Sequence, residues 1–411
     1  MSRDPLMPVE EALARVLASI ATPLDEERVP LADAFGRTLA RDVVARRSQP
    51  PFANSAMDGY ALRAADATGA PTHLRVVGEA AAGRPFAGRL APGETARIFT
   101  GAPLPDGADA VAIQEIAERD GDAVIIGAPV AAGGHVRRRG GDFVEGEILL
   151  SAGRRLTARD VALAAAADHP ALAVRRRPRV AVLSSGDELV APGHARGPGQ
   201  IVASNAFAIA GVVAAAGGEP LDLGVAPDDP AALAELLTQA RRANADVLTT
   251  IGGASVGEHD LIRKALADAG MSLDFWRIAM RPGKPLIHGR LGAMSVLGLP
   301  GNPTSATVCA VLFLRPLIRA LLGDPAAGAD PSEPARVASA LPANRERKDF
   351  LRATLATGAN GETLATPIAD QDSSLAKALA RADALLVRAI GAPPALAGEP
   401  CRIIRLAPLG A

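Results

Sequence analysis

Between residues 179 and 279 the chain alternates short apolar runs with helical patterns, and this alternation narrows its fold more than any other feature. The run "RVAVLSSGDEL" opens as a buried strand and breaks at a Gly-Asp-Glu turn. Helical periodicity falls at 207–216, 230–243 and 258–269, and strand-like runs fall at 220–225, 246–251 and 273–279. A strand that returns in the same direction needs a crossover of roughly a dozen residues, usually a helix, and these segments have that length. The expected fold is therefore α/β and multidomain, with a central three-layer αβα domain around a mainly parallel sheet at 176–323. Asp229-Pro230 marks a helix start, Gly270 closes a later helix, and Pro316 predicts a kink in the helix that opens at Pro303.

At 411 residues the chain is too long for one core. Residues 1–175 read as an N-terminal and linker region. It opens with an amphipathic helix whose apolar face carries Val9, Leu13, Val16, Leu17 and Ile20, and it includes a β-rich module at about 72–146. After the linker "DPAAGADPSEPA", residues 333–411 read as a small β domain.

Charge and composition exclude several classes. Lys and Arg number 44 against 45 Asp and Glu, and aromatic residues make up 3%. Neither nucleic acid nor a membrane surface is an expected partner, and the runs 137–139 and 175–177 read as solvated linker faces. The two cysteines lack disulfide or zinc spacing, no apolar run approaches the roughly 20 residues needed to span a bilayer, and no leader is evident, so the expected location is the cytoplasm. The six histidines show no metal-site spacing and read as structural or exposed.

Ligands of open parallel sheets bind beyond the carboxyl ends of the strands, where helix N-termini offer free N–H groups. Three loops are candidates. "SSGDEL" places Gly186, Asp187 and Glu188 at a strand end. "TTIGGASVGEHD" carries Gly252, Gly253, Ser255 and Gly257, whose backbone suits a phosphate. "GLPGNPTSA" runs through Pro300, Gly301, Asn302 as helix cap, Pro303 and Ser305. Beside them "MRPGKP" holds two cations, Arg281 and Lys284, apart across Pro282 and Gly283, a pairing that suits an oxyanion. Glu188, Asp228 and Asp260 are oxygen donors at the same edge and fit magnesium beside a substrate phosphate. Each segment also has a structural reading, as a cap, an ordinary turn or a solvated pair. Outside this domain, "PPFANSAMDGYALRAAD" surrounds Asp58, and "TGAPLPDGADAVAIQE" forms a second long loop.

Read in order, "NSAMDGYA", "TGAPLP", "GADAV", "GGD", "SSGDEL", "GGASVGEHD", "MRPGKP" and "GLPGNPTSA" closely resemble the molybdopterin molybdenumtransferase family, the bacterial MoeA proteins and the E domain of gephyrin. The resemblance implies molybdenum insertion into adenylylated molybdopterin with release of AMP, requiring Mg²⁺, with molybdopterin adenylate and molybdate as substrates. It implies a homodimer with the active site at the subunit interface, and adenylyltransferases and molybdoenzymes as further partners. By the same resemblance Asp58, Asp142, Glu188, Asp228, Asp260 and Lys284 would be catalytic, with Glu188, Asp228 and Asp260 at the metal. Ser55, Thr100, Asp187, Ser255, Arg281, Ser305 and Arg352 join the glycine, proline and asparagine positions named above as substrate contacts. Departures from the family pattern fall at Ile251, Ala53 and "QDSSL", where either Ser373 or Ser374 would serve molybdate. The rival readings are a molybdopterin adenylyltransferase and a non-catalytic scaffold of the same fold.

Overall fold

The computed structural model describes residues 6–252 and 261–407. Its central sheet has six strands in the order Glu219–Ala226, Arg179–Ser185, Val247–Ile251, Met294–Leu299, Pro285–Leu291, Ser272–Arg277. The first four are parallel. Pro285–Leu291 instead runs antiparallel to both neighbours, so the sheet is mixed. The physical reason is the short Gly292-Ala293 connection, which permits a hairpin and leaves no room for a crossover.

Strand alternation divides the apolar residues between two cores. Val180, Val182, Val247, Ile251, Leu297 and Leu299 face one, which is closed by helices Asn205–Ala216 and Pro303–Cys309 with its continuation to Leu321. Ala181, Leu183, Leu248 and Val296 face the other, closed by Pro230–Arg242 and Leu261–Asp268. The expected three layers follow. Asp229 caps helix Pro230–Arg242, its carboxylate accepting from the Ala232 N–H at 2.8 Å. Ahead of Pro316 the long helix widens into a π turn at Ala310–Leu314, which accommodates the backbone where the proline lacks a donor. That Pro303–Leu321 helix is long and apolar enough to cross a bilayer by composition, yet 83% of it is buried, which makes it a core helix.

The opening helix, Val9–Ala18, packs Val9, Ala12 and Val16 into the first core. Farther along, Glu26–Pro30 pairs antiparallel with Ala171–Arg175, so nearly all of the remaining N-terminal region loops out from one two-stranded root. Its β-rich module is a six-stranded sheet that also includes Gly59–Leu62, ahead of the expected start at 72. The 175–177 run is not simply a solvated face: Arg175 donates to Leu24 O at 2.9 Å, and Arg176 grips Asp246 through two bonds of 2.7 and 2.8 Å.

In the C-terminal domain, five strands close into a ring as Lys348–Thr357, Thr363–Pro367, Glu333–Val337, Pro400–Arg405 and Ala384–Arg388. A short strand of the central domain, Met280–Arg281, adds in parallel to its edge, opposite Lys348 and Asp349. This graft fixes the position of the 280–285 loop.

Candidate functional site

The carboxyl ends of three neighbouring parallel strands meet at one place. A β-carbon on Gly252 would lie 2.7 Å from Ser185 O, and one on Gly301 would lie 3.6 Å from the Gly252 α-carbon. At Gly252, the 2.7 Å approach and φ +92 together admit only glycine, while the 3.6 Å at Gly301 is ordinary van der Waals contact. Asn205, at the first turn of its helix, donates its side-chain N–H to Gly301 O at 2.6 Å and ties a fourth element to the rim.

The acids of the first loop are cross-braced. Ser185 Oγ donates to Asp228 Oδ1 at 2.7 Å, and Asp228 N donates to Asp187 Oδ1 at 2.9 Å. The Glu188 carboxylate folds into the space that a side chain on Gly186 would fill. Asp187 is thus engaged in holding the loop, and Asp228 is anchored by one oxygen only. Among the described residues no group of three or more His, Cys, Asp or Glu gathers as a metal cage. The donors here are all oxygen, the set that magnesium completes with phosphate oxygens and water. Gly253, Ser255, Gly257 and Asp260 lie outside the described residues.

A second part of this edge is built around the start of helix Pro303–Cys309. Asn302 occupies the cap position, but its side chain does not cap the helix as expected. Its amide donates to Ser373 Oγ at 2.9 Å, while Thr304 N donates to Ser373 O at 3.0 Å. Ser374 faces elsewhere, its hydroxyl donating to Asp372 at 2.7 Å. Ser305 is buried, and its hydroxyl makes no hydrogen bond among the described residues. Pro300 is buried, Pro282 is half-buried, and Gly283 lies against the helix, with Cys309 Sγ 3.9 Å from Gly283 O.

Arg281 is not the free cation the sequence suggested. Its guanidinium makes a two-pronged pair with the buried carboxylate of Asp349, with Nε at 3.0 Å from Oδ1. The cause is the parallel graft, which sets residue 281 opposite 349 from a domain 68 positions away. Lys284, in contrast, is exposed and makes no ion pair among the described residues. Arg352 is 1% exposed and makes no ion pair among the described residues. It donates over 3.2–3.4 Å to Asp370 O, Thr304 Oγ1, Leu375 O and Gln371 Oε1. Burial pushes its guanidinium down from the ordinary value, opposed by the charges of Asp370 and Asp372. A buried cation held only by neutral acceptors sits in an environment an anion would relieve.

Asp58 and Thr100 are brought together in the N-terminal module. Asp58 Oδ1 accepts from Thr100 N and from Thr100 Oγ1, both at 2.8 Å. The Thr100 amide, then its hydroxyl, and last the charge of Arg97 hold the exposed carboxyl below its usual value against a small opposing desolvation. Ser55 is fully buried, its hydroxyl turned to the Met57 backbone, so it shapes the turn. Asp142 is exposed. Among the described residues no hydrogen bond, ion pair or apolar cluster links these residues to the strand-end rim. Ser185 and Gln371 lie within quoted motifs but were not singled out, and Asp349 and Asn205 were not anticipated, since nothing local in sequence marks them and each reaches the site through a distant pairing.

Three family models match the chain: the MoeA N-terminal region (domain I and II) over 7–167, a probable molybdopterin binding domain over 181–320, and the MoeA C-terminal region (domain IV) over 334–406. The molybdopterin molybdenumtransferase of a Nostoc species is 40% identical over 328 residues, 77% of this chain and 75% of that protein. Molybdopterin molybdenumtransferase 2 of Mycobacterium tuberculosis is 38% identical over 353 residues, 83% of this chain and 86% of that one. The crystal structure of the molybdopterin biosynthesis MoeA protein of Pyrococcus horikoshii superposes with a TM-score of 0.83 at 29% identity, covering 98% of this chain and 100% of that one. The same mixed sheet with its flanking β modules is thus found in a solved protein.

Proposed function

This chain belongs to the molybdopterin molybdenumtransferase family and acts in molybdenum cofactor biosynthesis, and from that premise we propose how its own residues carry the reaction. The substrates are molybdopterin adenylate and molybdate. Water or a molybdate oxygen attacks the adenylate phosphorus, a new P–O bond forms as the phosphoanhydride breaks, AMP leaves, and molybdenum passes to the dithiolene. The observation that carries this reading is the meeting of three glycine-lined strand ends beside a helix start whose Thr304 is held by the buried Arg352.

The rim at Gly252 and Gly301 lets backbone N–H groups approach phosphate oxygens. Lys284, Ser305 and Ser373 are disposed for the tetrahedral oxyanion, with Arg352 supplying charge from beneath. Arg281, neutralised by Asp349, orients the loop more than it attracts. Glu188 and Asp228 would hold Mg²⁺, which when bound offsets charge on the phosphoanhydride. The protein's part is positioning and preorganised electrostatics, since phosphoryl chemistry asks little of a strong base.

A second copy of the chain completes the site in this proposal. Asp58 and Asp142 sit on a module with no bonded link to the rim among the described residues. Around them Phe52 is 44%, Met57 39% and Val144 51% exposed, apolar surface that a partner would cover. Both cysteines are free, which fits a reducing cytoplasm.

The test is to incubate the protein with molybdopterin adenylate, Mg²⁺ and molybdate and to follow AMP. Molybdate-dependent release is expected. No release from substrate that a positive control consumes would overturn the proposal, and full turnover by Glu188→Gln would remove the metal assignment.

A further inference from the structure

We infer that Arg97 is a positioning residue for Asp58, locking the turn that presents this carboxylate. The inference rests on the assignment of Asp58 to the site. Arg97 lies on strand Glu94–Ile98, directly opposite Tyr60 of Gly59–Leu62. Its guanidinium stacks on two rings, Tyr60 and Phe99, each at 5.1 Å from the centroid. Tyr60 is two residues after Asp58, and Phe99 immediately precedes Thr100, the donor to the Asp58 carboxylate. One cation therefore clasps both halves of the Asp58–Thr100 pair.

The hydrogen bonds close the same circle. Arg97 donates to Gly59 O at 3.4 Å and to Gln114 Oε1 at 2.9 Å. Gln114 N in turn donates to Asp58 O at 3.0 Å. The carbonyls of Asp58, through Gln114, and of Gly59 are thus tied to Arg97, while Thr100 grips the Asp58 side chain. A fork with planar faces is needed, because a point-charge ammonium cannot span Gly59 and Gln114 while stacking on two rings. The chain has a single Tyr among few aromatics, and it stands in this clasp.

The experiment measures kcat and KM for AMP release from molybdopterin adenylate in Arg97→Gln, Arg97→Lys, Asp58→Asn and the double variant Asp58→Asn/Arg97→Gln, with circular dichroism and thermal midpoints alongside. Loosening a reacting constellation by a fraction of an ångström to 1 Å predicts about a 10- to 100-fold loss of kcat in Arg97→Gln with KM changed less than about 3-fold. Arg97→Lys should recover part of that loss. The double variant should be no slower than Asp58→Asn, since Arg97 acts only through Asp58. Wild-type kcat in Arg97→Gln, or losses that multiply in the double variant, would overturn the inference. Should Arg97→Gln fail to fold, the same cycle with Arg97→Lys decides it. Wild-type turnover in Asp58→Asn sinks the assignment of Asp58 itself, a result separate from any behaviour of Arg97.

Discussion

Replacing Gly252 with alanine tests whether strand-end closeness builds the site. Gly252 has φ +92, and its added β-carbon would stand 2.7 Å from Ser185 O, whereas real β-carbons essentially never come within 3.0 Å of such an atom. Two costs add: about 1–2 kcal/mol for a left-handed alanine and about 1–3 kcal/mol for overpacking against backbone that cannot rotate away. Gly361 supplies the control, with φ +81 and open space where its side chain would go, so Gly361→Ala carries the first cost alone. The difference between the two variants, about 1–3 kcal/mol, isolates the contact with Ser185. Relief requires the two strand ends to part by several tenths of an ångström. If a misplacement of 1 Å costs about 100-fold, a shift of about 0.3–0.5 Å costs about 4- to 10-fold in turnover. Urea midpoints and molybdate-dependent AMP release in both variants are the assays. Equal stability and equal turnover for Gly252→Ala and Gly361→Ala would refute the reasoning, because the contact would then have no consequence.

Three further outcomes follow from the same geometry. Asp58 stays ionised further into acid than an ordinary carboxyl because the Thr100 amide and then its hydroxyl donate to it; Thr100→Val removes the hydroxyl alone, so the acid limb of turnover should move to higher pH, and an unmoved limb would contradict the assignment. Ser373→Ala should weaken molybdate saturation several-fold more than Ser374→Ala, because Ser373 meets Asn302 and Thr304 at the helix start while Ser374 turns to Asp372; equal effects, read as half-saturating molybdate, would reverse the choice. Burial pushes the Cys309 thiol far up, and the residue is wholly enclosed, so mass spectrometry should find Cys309 alkylated only after unfolding.

Much of the central domain was legible because it is written in local patterns. The strand Arg179–Ser185 announces itself by its apolar run, the helix Pro230–Arg242 by Asp229 and Pro230, and the alternation of the two by crossover length. Loops at strand ends inherit their location from that topology, so Gly186, Glu188, Gly252 and Gly301 could be placed on one edge before any coordinates. The antiparallel Pro285–Leu291 was not legible, since direction is decided by the two-residue link and by which neighbour accepts the strand.

Sequence by itself determined the parallel layers, the candidate rim and the family, since periodicity, caps and ordered motifs are properties of neighbouring residues. Only the tertiary structure decided which charges are spent and which remain: Asp349 neutralises Arg281 across a domain junction, Arg352 is buried on neutral hydrogen-bond acceptors with Asp370 and Asp372 acting at longer range, and Arg97 grips the turn of Asp58. The reason is physical. A charge acts according to the partners and solvent within a few ångströms of it, and those partners come together only when distant segments fold against one another.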